Sequence, residues 1–575
     1  MDTVITEALK KYVESIGLPQ AVFSLDFPKD ISHGDYMTNL ALVLSKQVGK
    51  NPREVADEIV SFLEKEKINN LEKIEIAGPG FINFTVNSEQ IQKEVLRIID
   101  RGDEYGKVTT HKGETLLLEH SCPNPFKQFH IGHLMSNTIG ESLGRLYTSQ
   151  GYNVITDSYG GDVGLHVAKA IWAIDQFKID FPHDVDSLSD KTRFLGNAYS
   201  YGSAQYEEDA EAKKKIDHLN KQIFDYLAGK PEAYDEDLDV YFTKGKQWSL
   251  EHFLEIYGIL GSDLQYQLFE SEVTDRAQEI LEEGLKKGIF EKSEGAVIYP
   301  EERSGLHTRV FRNSHGVPTY EAKDLGHAIR KDELVDSYNQ SIIITAEEQT
   351  QYFKVVLKAL EEINPEIASK TIHVPHGMMK LPTGKMSSRT GDIITGESLL
   401  FDLIAEVETK MVDRDIPESD KKEIARKVAV AALKYSILRS APGSDIIFDR
   451  EKALALDGDS GPYLQYTFTR AKSLIEKSKK NLERKTLDTL PEEGEALARL
   501  LGQFETVVKK SYETKGVHGI TTYITDVAHK FNAFYAQTQV IGNKEESWLV
   551  DLTEATAQVI KNGLYILGIE VPDKM

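Results

Sequence analysis

The sequence predicts an α/β protein in which a parallel sheet with crossover helices lies between a small α+β domain and an all-α C-terminal part. Three observations support this prediction. Short apolar segments alternate with helical ones from about residue 114, strand-like segments flank a Gly-Pro-Gly turn before that point, and helical periodicity dominates after residue 399. At 575 residues, the chain is long enough for three or four domains.

Residues 1–106 are expected to form the N-terminal α+β domain. Helical periodicity, together with an alternating strand pair around Gly78-Pro79-Gly80, indicates this class. The expected helices cover residues 3–16, 36–48, 52–66 and 88–100, and the expected strands cover 74–76 and 81–86. Residues 107–113 then form a linker.

Residues 114–398 are expected to form the parallel-sheet domain, followed by helical units over 399–456 and 457–575. In the sheet domain, strands are predicted at 115–120, 153–157, 341–345 and 371–374, and the first helix at 132–150. A mostly charged and helical stretch from about 175 to 300 is interpreted as an insertion or connective region. The last unit, a helical bundle, begins at the glycine-rich stretch DGDSGP.

The composition is that of a globular protein, and its cysteine content indicates the type of cellular compartment. Hydrophobic residues make up 40% and charged residues 28%, which excludes a disordered or fibrous chain. The single cysteine, Cys122, excludes an internal disulfide and a cysteine zinc cage, and it indicates a reducing compartment. No segment is apolar enough to cross a membrane or to serve as a secretory signal, so a cytoplasmic protein is expected.

The formal net charge of −24 argues against a nucleic-acid partner, because phosphates are bound by clustered Lys and Arg. Net charge sums over the whole surface, however, whereas binding depends on local potential. An acidic protein can therefore carry one basic face. The candidate face is the cluster Arg470, Lys472, Lys477, Lys479, Lys480, Arg484 and Lys485, for which a solvated helix face is the alternative interpretation.

The strongest local motif is His130-Ile131-Gly132-His133, placed where the first strand of the sheet turns into the first helix. A helix N-terminus presents backbone N–H groups and a partial positive charge, and glycine lets a ligand approach the backbone closely. The two histidines add donors for nucleotide oxygens. The motif predicts nucleotide chemistry, and a pair of ordinary surface histidines is the alternative.

The second motif is Lys385-Met386-Ser387-Ser388-Arg389, in a loop after the last predicted strand. A loop with two cations and two hydroxyls is suited to neutralising a leaving pyrophosphate. A solvated basic loop would be the better interpretation of this motif alone. Its position downstream of the histidine motif, at the far end of the same sheet, favours the phosphate role.

These motifs resemble the HIGH and KMSKS signatures of class I aminoacyl-tRNA synthetases, and their surroundings resemble the arginyl-tRNA synthetase family. The likeness extends over every domain except the charged insertion. The similar segments are LEHSCPNPFKQFHIGHLMSNTIGESLGRL, SYGGDVGLHVAK, TYEAKDLG, AEEQTQYFK, GPYLQYTFTRAKS, LGIEVPDKM, and, near the N-terminus, GDYMTNLALVLSKQVGKNPREVA and IAGPGFINF. The resemblance implies a class I Rossmann-like catalytic domain, an additional tRNA-binding N-terminal domain and a DALR-type anticodon-binding bundle.

The resemblance also implies the reaction of an arginine–tRNA ligase. ATP, as its Mg²⁺ complex, and L-arginine would form arginyl-adenylate and pyrophosphate. The terminal adenosine of tRNA(Arg) would then take the arginyl group and release AMP. No protein-bound structural metal and no membrane association are implied, and we expect a monomer.

The resemblance assigns residues to each part of this reaction. Phosphoryl chemistry is assigned to His130, Gly132, His133, Lys385 and Arg389, and ATP binding to His130, Gly132, His133, Lys385, Met386, Ser387 and Ser388. Arginine binding is assigned to Glu119, Cys122, Asn124, His133, Tyr320, Asp324 and Gln349, and tRNA binding to Gln465, Arg470, Tyr535 and Met575. Tyr535 is expected to stack on an RNA base.

Asp324 is expected to bind the guanidinium directly, since a planar group with five donors is best held by carboxylates. Tyr320 lies four residues earlier and would share its helix face. Asn124 and Gln349 are expected at the amino and carboxylate end of the substrate. For Glu119 taken alone, an ordinary surface residue is the alternative.

The chain departs from the family pattern at three positions. Ser388 stands where the KMSKS loop usually has lysine, so Lys385 and Arg389 would supply the positive charge. Cys122 replaces the serine that commonly precedes Pro-Asn, and His166 stands where the family often has glutamine.

Three other functions are weighed against this one. The stretch around Ser460 suggests a serine protease, but it lies in a helical region without a recognisable histidine and aspartate. A nucleotidylyltransferase would use the HIGH motif without needing the terminal domains. A non-catalytic tRNA-binding paralogue is suggested by Ser388 and opposed by the intact HIGH motif.

Overall fold

The computed structural model describes residues 1–28, 30, 33–177, 181–301, 305–382, 394–413, 417–478, 487 and 489–575. The whole of the KMSKS-like loop assigned to ATP, Lys385 to Arg389, lies outside the described residues, as do Lys479, Lys480, Arg484 and Lys485 of the basic cluster. No helix in the described part of the chain is long and apolar enough to cross a membrane.

The N-terminal elements form an antiparallel sheet covered by helices. In chain order they are α1 (Asp2–Ser15), β1 (Leu25–Asp26), β2 (Tyr36–Thr38), α2 (Leu40–Val48), α3 (Pro52–Glu66), β3 (Leu71–Ala77), β4 (Phe81–Val86) and α4 (Ser88–Arg101), with sheet order β1-β2-β4-β3. The single helix expected over 36–48 is wrong. Tyr36 and Thr38 are buried and pair with Phe84 and Ile82, so the segment is a strand until Asn39, after which α2 begins.

The central sheet is parallel, as the alternation of strands and helices predicted. It contains β5 (Thr115–Glu119), β6 (Asn153–Gly160), β7 (Tyr266–Phe269), β11 (Gln340–Ala346) and β12 (Thr371–His376). Among the described residues the strand order is β12-β11-β5-β6-β7. The chain leaves β5 towards β6 and later returns to β11 on its other side, so the carboxyl end of β5 borders the crevice where such sheets bind ligands.

Helices and a small sheet surround these strands. They are α5 (Ile131–Ser149), α6 (Leu165–Gln176), α7 (Leu188–Glu208), α8 (Ala210–Leu227), α9 (Glu236–Leu260), α10 (Glu270–Lys287), β8 (Glu291–Ser293), β9 (Ala296–Tyr299), β10 (Arg309–Arg312), α11 (Tyr320–Leu334), α12 (Thr350–Ile363) and α13 (Pro365–Lys370). The stretch of about 175–300 is mostly helical, as expected, but its second half also contains three short strands. That half contributes β7 to the central sheet, and β8 and β9 form an antiparallel sheet with β10.

The C-terminal part is helical apart from a short strand pair. It contains α14 (Gly396–Lys410), α15 (Glu418–Leu438), α16 (Arg450–Ala453), α17 (Gly461–Lys477), α18 (Glu492–Leu501), α19 (Phe504–Thr514), α20 (His518–Gln537) and α21 (Glu546–Ile566). The strand β14 (Ile446–Ile447) pairs in parallel with β13 (Met379–Lys380). Arg499 of α18 lies 2.6 Å from the buried Asp35 carboxylate, which joins the bundle to the N-terminal domain.

Helix α5 connects the front of the sheet domain to the end of the bundle. The Ser142 hydroxyl donates to the Ile566 carbonyl at 2.9 Å, and Arg145 donates to the Tyr565 carbonyl at 3.3 Å. The fully buried Lys434 ammonium of α15 donates to the Gly568 carbonyl at 2.7 Å. The rear of α5 is therefore packed against the last turn of α21 and the residues that follow it.

Candidate active site

The loop after β5 holds its backbone in an unusual conformation. Ser121, Cys122 and Phe126 have φ angles of 71°, 49° and 65°, in the left-handed region that residues other than glycine rarely adopt. Such backbone strain is concentrated at functional sites, where the surrounding structure maintains it. Cys122 is anchored there because the Tyr159 N–H donates to its Sγ at 3.5 Å.

The glycine segment after β6 is joined to this loop through Asn124. The Gly161 N–H donates to Asn124 Oδ1 at 2.7 Å, and His166 Nε2 donates to the Gly161 carbonyl at 2.8 Å. A Cβ at Gly161 would lie 3.0 Å from both Asn124 Oδ1 and Glu270 Oε1. Glycine is thus required for the close approach, and His166 has a structural role in holding the segment.

The HIGH motif forms the first turn of α5, and its histidines cap that helix. The N–H groups of Gly132 and His133 donate to His130 Nδ1 at 3.1 and 3.4 Å, while the His130 N–H donates to His133 Nδ1 at 3.2 Å. The two rings are stacked with centroids 3.4 Å apart. The expectation that these backbone N–H groups are open to a phosphate is corrected: the His130 ring accepts from them.

Both HIGH rings are neutral at physiological pH. Burial lowers the pKa of His130 to about 4, with Lys127 adding to the effect. Burial and the neighbouring His130 lower the pKa of His133 well below its usual value. Because each Nδ1 accepts a hydrogen bond, the proton of each neutral ring resides on Nε2. The pair therefore offers two N–H donors without a formal charge.

Glu119, at the end of β5, belongs to a buried ionic network. Lys331 Nζ lies 2.7 Å from Glu119 Oε2, and His327 Nε2 lies 3.1 Å from the same oxygen. All three residues are at most 5% exposed. Burial alone would raise the pKa of Glu119, but Lys331 and His327 outweigh it and lower the pKa, so the carboxylate is ionised.

His327 also faces Asp157, and its ring stacks on an aromatic ring. Its Nε2 lies 3.6 Å from Asp157 Oδ2, and its ring stacks on Tyr159 at 3.8 Å between centroids. Ligand atoms of Glu119, Asp157 and His327 lie within 4.8 Å of one another, a spacing that could hold a metal ion. The Lys331 ammonium, however, already contacts Glu119 and supplies a cation to this cluster.

Three buried carboxylates around the crevice each have a lysine partner. Lys331 pairs with Glu119 at 2.7 Å, Lys246 with Asp162 at 2.7 Å, and Lys323 with Glu270. Paired charges of this kind tolerate burial, whereas a single buried charge does not. These three carboxylates are therefore already neutralised by the protein.

Asp324 on α11 differs from these three. Among the described residues, the Tyr352 hydroxyl donates to it at 2.6 Å, and no lysine or arginine forms an ion pair with it. Burial raises the pKa of the Asp324 carboxyl to about 7; the Tyr352 hydroxyl opposes that shift and the Glu119 charge adds to it. This carboxyl has no lysine or arginine partner within the described parts of the chain, and a cationic ligand would supply one.

The remaining residues expected at the arginine site lie at the rim. Tyr320 begins α11 and is 58% exposed, with the Lys323 ammonium 4.8 Å from its ring centroid. Gln349 is exposed in the short turn after β11, at the carboxyl edge of the sheet. The network residues Lys331, His327 and Tyr352 were missed by the sequence reasoning. The spacing of 324, 327 and 331 along one helix face was the signal that could have found two of them.

On the C-terminal bundle, an aromatic and cationic stack lies at the surface. The Arg470 guanidinium is 4.6 Å from the Tyr466 ring centroid and 5.1 Å from that of Tyr535, which is 40% exposed. Met575 is partly exposed. The assignment of Gln465 to tRNA contact is corrected. Its side chain is fully buried and donates to the Lys427 and Glu570 carbonyls at 3.1 and 2.6 Å, so it holds α15 and the residues after α21 together.

Ser460 has a structural role. It is the N-cap of α17, is fully buried, and its hydroxyl accepts from the Tyr463 N–H at 3.0 Å. A helix-capping hydroxyl without exposure to solvent is not placed to attack a substrate. The protease interpretation therefore has no support in the geometry.

Three family models match consecutive parts of the chain. The model of the class I (R) tRNA synthetase catalytic domain matches residues 94–450, the arginyl tRNA synthetase N-terminal domain matches 1–86, and the DALR anticodon binding domain matches 464–575. Among curated proteins, the arginine–tRNA ligase of Clostridium perfringens is 28% identical over 100% of this chain and 99% of its own length. That of Halothermothrix orenii is 29% identical over 99% of both chains.

Solved structures with the same fold include two arginyl-tRNA synthetases. That of Thermus thermophilus matches with a TM-score of 0.81 at 22% identity, covering 100% of both chains. That of Plasmodium falciparum matches with a TM-score of 0.79 at 21% identity, covering 100% of this chain and 98% of its own. The catalytic-domain model alone spans more than half of the sequence. The chain therefore belongs to the class I (R) tRNA synthetase family.

Proposed function

We propose that this protein is an arginine–tRNA ligase that activates L-arginine with ATP and transfers it to the terminal adenosine of tRNA(Arg). The observation that carries the substrate assignment is the contrast between Asp324 and its neighbours. Glu119, Asp162 and Glu270 each have a lysine partner, whereas Asp324 has the Tyr352 hydroxyl. A guanidinium beside Asp324 would give this carboxylate a cationic partner as well. The planar guanidinium could donate two parallel hydrogen bonds to the two carboxylate oxygens.

Glu119 enters this proposal through its network. Since Lys331 and His327 already contact one of its oxygens, Glu119 would add negative potential near the guanidinium while Asp324 makes the closest contact. Asn124 and Gln349 would meet the amino and carboxylate end of arginine, with Cys122 in the same strained loop as Asn124, and Tyr320 would pack beside Asp324. A site of this kind rejects ligands that leave its buried groups unpaired, by roughly 10⁴-fold.

ATP, as its Mg²⁺ complex, would bind at the HIGH turn. The arginine carboxylate would attack the α-phosphate, pyrophosphate would leave, and a ribose hydroxyl of the tRNA would then take the arginyl group. The neutral His130 and His133 rings would donate their Nε2–H groups to phosphate oxygens, with Gly132 allowing close approach. Lys385 and Arg389, with Met386, Ser387 and Ser388, would neutralise the leaving pyrophosphate.

The terminal regions would hold the tRNA. The stack of Tyr466, Arg470 and Tyr535 offers an aromatic face for an unstacked anticodon base, and Met575 lies in the same C-terminal part. We place the domain boundaries at 1–106, 114–398, 399–456 and 457–575. The proposal includes a monomer in the cytoplasm, the latter supported by the lone Cys122.

The test is aminoacylation of tRNA by the purified protein with each of the twenty amino acids, ATP and Mg²⁺. Arginine alone should be attached, with formation of AMP and pyrophosphate. Tight tRNA binding without attachment of any amino acid would favour the non-catalytic paralogue suggested by Ser388. ATP turnover that is independent of tRNA and arginine would favour a nucleotidylyltransferase.

Binding of arginine should release a proton below neutral pH. Asp324 has a pKa of about 7 in the free protein, and only its ionised form pairs with the guanidinium. Arginine affinity should therefore be constant well above pH 7 and fall towards tenfold per unit well below it. Calorimetry at pH 6 in two buffers with different protonation heats should detect release of close to one proton, and almost none at pH 8.5. Equal heats in both buffers at pH 6 would contradict the assignment.

A further inference from the structure

The first turn of α12 carries a side chain that reaches Asp324. Helix α12 begins directly after the turn that contains Gln349, and three residues later the Tyr352 hydroxyl donates to Asp324 Oδ2 at 2.6 Å. The next residue, Phe353, is 5% exposed, and its ring stacks on His373 of β12 with centroids 4.4 Å apart, which fixes this turn against the sheet. The segment after β11 therefore places one polar side chain at the rim and another on the carboxylate proposed to bind the guanidinium.

The hydrogen bond from Tyr352 restrains the orientation of the Asp324 carboxylate. The terminal torsion of an aspartate side chain has broad energy wells, so a carboxylate without a fixed partner can rotate over a wide range. A carboxylate offers about four lone-pair positions, and one bond from Tyr352 leaves room for two parallel N–H donors of a guanidinium, one on each oxygen. Tyr352 thus restrains Asp324 without occupying the positions that arginine needs.

The Tyr352 hydroxyl can act in this way only while it keeps its proton. Burial raises the pKa of Tyr352 well above its usual value, and the Asp324 charge adds to the increase. The phenol is therefore a donor throughout the physiological range. Because it stabilises the charged form of Asp324, it also lowers the pKa of that carboxyl, against the effect of burial.

A cation from a different part of the fold lies over the Tyr352 ring. The Arg309 guanidinium carbon is 5.2 Å from the ring centroid, and Arg309 Nη1 donates to Glu321 Oε1 at 3.1 Å. Arg309 belongs to β10 of the small antiparallel sheet, and Glu321 lies in the first turn of α11. A cation at the face of a phenol is attracted by the ring, so the small sheet supports Tyr352 through Arg309.

Other titratable groups face Asp324 as well. They are Glu119 on β5, Tyr159 on β6, Glu270 on α10 and His327 on α11 itself. Tyr352 differs from them because it donates a hydrogen bond to this carboxyl. Building on the proposed function, we propose that Tyr352 is a positioning residue for arginine recognition, which fixes the Asp324 carboxylate for paired contact with the guanidinium.

Tyr352→Phe tests this inference, since it removes the hydroxyl and keeps the ring. Arginine affinity of the full chain is measured by calorimetry from pH 6 to pH 9. At pH 7 the affinity should fall about tenfold, which is within the range for losing a hydrogen bond to a charged group. The pH below which affinity declines should move up by about one unit, because the bond that lowers the pKa of Asp324 is lost. In aminoacylation, KM for arginine should rise while kcat stays nearly unchanged.

The matched control is Tyr299→Phe. The Tyr299 hydroxyl donates to Glu362 Oε1 at 2.6 Å, the same length, at the other end of α12. This variant loses an equivalent hydrogen bond, so its stability should fall as that of Tyr352→Phe does. Its arginine affinity and the pH dependence of that affinity should match those of the unmodified protein. Arg309→Gln should move the pH dependence in the same direction as Tyr352→Phe but less, because it loosens the ring without removing the hydroxyl.

An unchanged pH dependence in Tyr352→Phe, or equal losses of arginine affinity in Tyr352→Phe and Tyr299→Phe, would overturn the inference. If Tyr352→Phe did not fold, an unchanged pH dependence in Arg309→Gln would overturn it instead. The unmodified protein is measured in parallel. Failure of arginine to bind to it would overturn the proposed function, whereas normal binding beside an unaffected Tyr352→Phe would overturn only the role of Tyr352.

Discussion

Asp324→Asn should lower kcat/KM for arginine by about a thousandfold, while leaving ATP binding nearly unchanged. The amide keeps the size of the carboxyl and can still accept from Tyr352, but it removes the charge that would face the guanidinium. Losing one partner of a buried charge pair costs about 2–5 kcal/mol, and the lost bidentate geometry adds to this. The measurement is arginine-dependent aminoacylation together with ATP binding.

The control is Asp332→Asn, which removes a carboxylate from an exposed position on the same helix, α11. It should retain wild-type kinetics. If Asp324→Asn lost less than about tenfold, the guanidinium would have another principal partner, and Glu119 would be the next to test. If ATP binding were lost as well, Asp324 would be supporting the whole crevice.

Lys331→Met should lower the free energy of unfolding by about 3–5 kcal/mol. The substitution keeps the length of the side chain but leaves the buried Glu119 carboxylate without its nearest cation, in a cluster that also contains Asp157. Unfolding in urea, followed by circular dichroism, measures the change. Adding Glu119→Gln to Lys331→Met should recover much of the loss, because the uncompensated charge is then removed.

Arg330→Met is the comparison for this result. Arg330 is the preceding residue on α11, is partly exposed, and lies 3.6 Å from Glu333 at the surface, where an ion pair contributes about 0–1 kcal/mol. Equal stability of the Arg330 and Lys331 variants would mean that the Lys331–Glu119 contact is not a buried pair in solution.

Most helices and the parallel sheet could be predicted from the sequence because each carries its own periodicity. The helix α3 begins and ends where the pattern placed it, at Pro52 and Glu66. The errors occur where a local pattern is overruled by pairing with distant residues. Tyr36–Thr38 continues into a helical pattern, yet it is a strand because β4 pairs with it, and β7 is too short to be distinguished from its charged surroundings.

Only some residues of the candidate site could likewise be predicted from the sequence. Carboxylates such as Glu119 and Asp324 could be proposed from motifs, since their positions follow short recognisable segments. The lysines that neutralise them could not, because Lys246, Lys323 and Lys331 look like ordinary surface residues until the fold buries their ammonium groups beside acids. The capping role of the HIGH histidines could not be predicted either, because it depends on the orientation of their rings in the folded protein.

The attachment of α5 to the end of the bundle has a consequence during synthesis. The Ser142 hydroxyl and the Ile566 carbonyl that it contacts are 424 residues apart, so a ribosome makes a long stretch of chain between them. Until α21 and the residues after it emerge, the rear of α5 lacks this part of its covering. The contact between α5 and the C-terminal bundle can therefore form only late in synthesis.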